Sequence, residues 1–133
     1  LLPYVAQVAI GKLQCINVFG NDYDTPDGTC IRDYIHVEDL ATAHRLAIEH
    51  INEYSGEINL GTSKGTSVKE IIEIAENITG KKCSVVFTER RAGDPAILCA
   101  SNQKAYEVLG WKPTKSMKDI IETAWKWEQN KKF

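Results

Sequence analysis

The sequence predicts an α/β fold. Apolar residues recur first at helical and then at strand spacing, so that the two element types alternate along the chain. No internal repeat, linker or low-complexity tract interrupts them. The 133 residues, 43% of them apolar, are enough for one hydrophobic core without disulfide or metal staples. Residues 1–133 therefore read as a single domain.

The elements follow in order. PYVAQVAIG, residues 3–11, suits a short helix with Pro3 in its first turn and Gly11 near its end. CINVFG, residues 15–20, is a β-rich run, and a polar loop carrying Asp22, Asp24, Pro26, Asp27 and Gly28 leads to a second strand over residues 30–36. From there Val37, Leu40, Ala41, His44, Ala47, Ile48 and Ile51 share one face of a helix. That face is expected to be buried, with His44 as a hydrogen-bonded core histidine. A turn at Tyr54-Ser55-Gly56 precedes a short strand, EINLG, over residues 57–61.

Ser67 and Glu70 form a capping-box pattern that opens the next helix, where Val68, Ile71, Ile72, Ala75 and Ile78 line one side and Gly80 ends it. SVVFTE, residues 84–89, is a further strand, RRAGDP is a loop, and AILCA, residues 96–100, is extended. A helix of about two turns ends at Leu109-Gly110. Ser116 and Asp119 mark a last helix whose buried stripe is expected to be Met117, Ile120, Ile121, Ala124 and Trp127. The tryptophans read as packing residues.

Sixteen basic against eighteen acidic side chains give a net charge of −2, with no Lys/Arg run. That balance excludes nucleic acid or a membrane surface recognised through bulk electrostatics. An anion would have to be held by a few placed residues. The cysteines at 15, 30, 83 and 99 form no CxxC and no zinc-finger spacing, which fits reduced thiols and a cytoplasmic location. No apolar run reaches the length of a membrane span. The first residues lack the features of a secretory signal, and Leu1, not Met, suggests a piece of a longer protein.

Two stretches place arginine beside an acid: TCIRDY, residues 29–34, and ERRAGDP, residues 89–95. A guanidinium meets phosphate oxygens two at a time and keeps its charge at any working pH, so Arg32 and Arg91 could clamp a diphosphate. Spacing alone leaves local ion pairs, Arg32 with Asp33 and Arg91 with Asp94, as the alternative. Gly61 to Ser67 has the outline of a phosphate loop, but GxxxxGK[ST] is absent, as is GxGxxG. His36, His44 and His50 lack metal-ligand spacing. No catalytic constellation assembles.

The run FGNDYDTPDGTCIRDYIHVEDLA, residues 19–41, resembles the UDP-glucose 4-epimerases of the extended short-chain dehydrogenase/reductase family. Asn59-Leu60-Gly61, RRAGDP at 90–95 and Leu109-Gly110-Trp111 follow in the family's order. The likeness spans essentially the whole chain but only the C-terminal part of the family's length. It implies a small C-terminal substrate domain, a short mixed sheet packed with helices, with the Rossmann domain absent. The whole enzyme would interconvert UDP-glucose and UDP-galactose by NAD-dependent oxidation at C4, rotation of the keto sugar and re-reduction.

By this resemblance, NAD and the Tyr-x-x-x-Lys chemistry belong to the N-terminal domain, so no cofactor, catalytic residue or metal is expected here, and the chain alone would be inactive. Arg32 and Arg91 match contacts to the UDP diphosphate, and Asp94 matches a ribose-contacting acid. Asn17, Val18 and Phe19 match the segment along the uracil, and Leu1 follows the position of a nucleotide-contacting asparagine. Leu98 matches the position that limits the space beside the sugar 2-substituent, which leaves acceptance of N-acetylated sugars open. Tyr34 and His36 read as scaffold. The relatives imply a homodimer for the whole enzyme and a monomer for this piece, with exposed apolar surface where the other domain docks. A related 4,6-dehydratase or decarboxylase, or a non-catalytic interaction module, are the alternatives.

Overall fold

Ser67 and Ser116 begin their helices in the same way. Each side chain accepts from the backbone N–H three residues on, and the acid there, Glu70 or Asp119, accepts from the serine's own N–H. Two orphan donors are satisfied at each helix start. Gly80, at φ +66°, ends the first of these helices in the left-handed region that a Cβ would disfavour. In the computed structural model, which describes residues 1–132, ten elements follow in order. They are α1 Leu2–Ala9, β1 Ile16–Phe19, β2 Ile31–Arg32, α2 Val37–Glu49, β3 Thr66–Ser67, α3 Val68–Thr79, β4 Val85–Thr88, β5 Ile97–Leu98, α4 Gln103–Leu109 and α5 Met117–Asn130.

The strands form two small sheets. In one, β1 pairs parallel with β4, Phe19 opposite Thr88; in the other, β2 lies between antiparallel β3 and parallel β5, with Arg32 opposite both Thr66 and Leu98. The mixed sheet expected from sequence is thus the three-stranded one, and β1 stands outside it. Helices α1, α3 and α5 pack together over β1, where Val5, Ile16, Val18, Ile71, Ile72, Ala75 and Ile121 form the main core. At its edge the Glu128 carboxylate, almost fully buried, is held by Lys12 at 3.1 Å and Lys131 at 2.8 Å. A second, smaller core gathers Ala43, Ala105, Leu109 and Trp111, with Leu46, Ile58 and Leu60 packed against it.

Four expectations are corrected. The face of α2 that packs inward is His36, Asp39, Ala43 and Leu46, while Val37 and Ile48, and Ile51 just past the helix, are about two-thirds or more exposed. The carboxylate of Asp39 decides this. It accepts from Thr114 N–H at 3.1 Å, Thr114 Oγ1 at 2.8 Å and Lys115 N–H at 3.0 Å, and Trp111 Nε1 donates to the Asp39 carbonyl at 2.9 Å. His44 consequently lies on the exposed side, its Nδ1 2.7 Å from the Leu40 carbonyl.

The strand expected over 30–36 contracts to two residues, because Asp33 turns its carboxylate to other loops and His36 already caps α2 by accepting from Glu38 N–H. No strand forms over 57–61; Ile58 and Leu60 pack against the smaller core instead. On α5, Met117, Ile121 and Trp125, spaced by four, face the main core, leaving Trp127 59% exposed.

Candidate functional site

A cavity of about 540 Å³ opens between the end of β1, the start of α1, β2 and the loop after β4. That volume falls within the roughly 300–1,000 Å³ of small-molecule sites. Leu1, Asn17, Val18, Phe19, Arg32, Arg91 and Asp94 all line it. Leu98 does not: it is 60% exposed on β5, beside Arg32 in the sheet register. Tyr34, Cys30 and Val68 also line the cavity. A signal for Tyr34 was present in the sequence, because Cys30, Arg32 and Tyr34 alternate, and side chains two apart on an extended run share a side. Burial, assisted by the Cys30 thiol and opposed by Arg32, pushes the Tyr34 phenol up to about 12.

Neither local ion pair allowed by spacing forms. The Asp33 carboxylate accepts from Thr62 N–H at 3.0 Å, from Ala100 N–H at 3.2 Å and from the Thr62 hydroxyl, tying β2 to two other stretches of chain. Asp94 instead lies 3.5 Å from Nη2 of Arg32, whose Nη1 donates to the Ile31 carbonyl at 2.8 Å. The Arg32 side chain is only 20% exposed. Arg91 lies with its guanidinium carbon 3.8 Å from the centre of the Phe19 ring. Its neighbour Arg90 stands over Tyr23 at 4.3 Å and is bound to Asp22 through Nε at 2.7 Å.

The loop that precedes β2 is held by Asp27. Its carboxylate accepts from Thr29 N–H at 2.8 Å, Thr29 Oγ1 at 2.6 Å and the Ser67 hydroxyl. Those bonds outweigh the effect of burial and hold the Asp27 carboxyl below the usual carboxylate range. The loop thus fixes the approach to Arg32.

The turn at residues 61–65 is not a phosphate cradle. Thr62 N–H is bound to Asp33 and Lys64 N–H to Thr62 Oγ1. A Cβ on Gly65 would sit 2.2 Å from Ile31 Cγ2 and 2.5 Å from Cys99 Sγ, so the space above this turn is filled by protein. This turn before β3 therefore does not fit a dinucleotide pyrophosphate. Among the described residues no group of three His, Cys, Asp or Glu side chains could hold a metal ion, and no helix is long and apolar enough to cross a membrane.

A family model described as GDP-mannose 4,6 dehydratase matches residues 1–124. The UDP-glucose 4-epimerase of Halalkalibacterium halodurans is 50% identical over 132 residues, 97% of this chain and 40% of that protein. The human UDP-glucose 4-epimerase is 45% identical over 131 residues, again 97% of this chain and 38% of that one. Among solved structures, the Stenotrophomonas maltophila UDP-glucose 4-epimerase with bound NAD and formylated UDP-arabinopyranose superposes with a TM-score of 0.94 at 44% identity, covering 97% of this chain and 39% of the other. The Bifidobacterium longum enzyme in complex with NAD+ and UDP gives 0.90 at 43% identity, covering 97% and 39%. The chain thus spans about 40% of the length of the relatives it matches, and it corresponds to their C-terminal part.

Proposed function

This chain belongs to the GDP-mannose 4,6 dehydratase family, and from that premise we propose that it is the UDP-sugar-binding part of a UDP-glucose 4-epimerase. The observation that carries the reading is that Arg32 and Arg91, from separate stretches of chain, line one cavity together with Asn17, Val18, Phe19 and Asp94. In this reading the two guanidinium groups hold the diphosphate, Asp94 meets the ribose, and β1 runs along the uracil. Leu1 lies at the nucleotide end, and Leu98 borders the sugar from outside the cavity lining.

Binding energy then comes from the nucleotide end, which is the same in both epimers. That suits a reaction in which the sugar must turn over between two half-reactions, because interactions with the unchanging end need not break. Oxidation and re-reduction at the sugar carbon are supplied by NAD. In this reading NAD is held by the N-terminal part of the whole enzyme. The named relatives favour epimerisation over the dehydration for which the family model is named.

Calorimetry with UDP tests the reading. The chain binds UDP, and Arg91→Ala weakens binding by about 1.5–3 kcal/mol, the loss of a charge-assisted phosphate contact. Unchanged affinity in the variant would remove Arg91 from the clamp. With an N-terminal domain restored, UDP-galactose should yield UDP-glucose. A 4-keto-6-deoxy product would replace epimerase with dehydratase.

A further inference from the structure

Arg90 and Arg91 are neighbours, each stacked on an aromatic ring, yet their charges are used differently. The Arg90 guanidinium is bound to the Asp22 carboxylate and carbonyl; the carboxylate neutralises it and the two bonds take its Nε–H and one Nη2–H. The Arg91 guanidinium has no hydrogen-bond or ion-pair partner among the described residues. Its contact is the face of Phe19, at 3.8 Å. A ring face attracts the cation through its quadrupole. It carries no net charge and takes none of the in-plane N–H groups, so the fork that would grip an oxyanion stays available.

We propose that Phe19 is a positioning residue whose ring holds the Arg91 guanidinium at the cavity wall, charged and unpaired, ready for the diphosphate. The inference rests on the UDP-binding reading above and assigns Phe19 a task other than contact with the base. Phe19 closes β1 opposite Thr88, three residues before Arg91, so the ring and the arginine it holds are anchored to the same pair of strands. An arginine free in solvent would lose its rotamer freedom on binding; here the ring has already restricted it. Arg32 is restrained differently, by the Asp94 carboxylate and the Ile31 carbonyl.

Affinities for UDP and for uridine, which lacks phosphate, separate the two roles of the ring. Phe19→Leu should weaken UDP by roughly three- to thirtyfold and uridine by clearly less. Phe19→Tyr, which keeps the ring, should restore UDP binding. In an Arg91→Ala background, Phe19→Leu should cost nothing further. Equal losses for UDP and uridine, or a loss that persists without Arg91, would overturn the inference while leaving UDP binding intact. If the unaltered chain does not bind UDP, the underlying reading falls and this inference with it. Retained uridine binding by Phe19→Leu shows that the variant is folded.

Discussion

Around Ile71, which is fully buried, α1, α3, α5 and β1 stack apolar side chains on one another. Around Trp111, α2 and α4 contribute only a few, and the carboxylate of Asp39 joins α2 to the turn before α5 through three hydrogen bonds. The first unit is held by area removed from water, a force that is non-directional and cooperative. The second depends on directional bonds that converge on one side chain. The cavity wall is drawn mostly from the first unit, through β1, α1 and Val68. The binding surface therefore rests on the better-buried unit, while α2 can loosen without emptying it.

Three measurements bear on that contrast. The largest effect is expected from Ile71→Ala, which leaves a cavity at the centre of the apolar unit and should cost about 4 kcal/mol in urea denaturation. UDP affinity should suffer with stability, since β1 packs on this core. A loss confined to α2 and α4 would reverse the assignment of the two units.

Asp39→Ala should cost on the order of 2–3 kcal/mol, because it strands the N–H groups of Thr114 and Lys115. Hydrogen exchange should quicken in α2 and α4 while α3 keeps its protection. Uniform loss of protection would mean that the chain has one cooperative unit.

The smallest effect concerns pH. Burial alone would raise the Asp39 carboxyl, but the Lys115 N–H and the hydroxyl and N–H of Thr114 outweigh it and hold it below the ordinary carboxylate value. A depressed folded value means that its stabilisation is present above the unfolded value, about 3.9, and is lost as pH falls through the lower folded one. The stability difference between the unaltered chain and Asp39→Ala should therefore narrow as pH falls below the unfolded value toward the lower folded one. A difference that stays constant would show that the bonds to Asp39 do not depend on its charge.

What could be seen in the sequence follows the same division. The starts of α3 and α5 were legible because a capping box is local, complete within four residues. Arg32, Arg91, Asp94 and the end of β1 could be singled out together only through resemblance, since spacing equally allowed ion pairs with Asp33 and Asp94. The inward face of α2 was illegible. Leu40, His44 and Ile48 fit one helical stripe, but Asp39 turns the helix through bonds to residues far along the chain. Likewise, nothing in the dipeptide Arg90-Arg91 tells which cation is neutralised, because Asp22 reaches it from the loop after β1, distant in sequence.

That adjacency makes spacing as important as identity. Shortening the stretch between Thr88 and Arg90 by one residue would leave both arginines present and the composition almost unchanged. Yet it would carry the next guanidinium in line toward the acid at position 22 and draw the unpaired one away from its ring. Length variation here would thus silence a binding group that a residue-by-residue comparison still counts as intact.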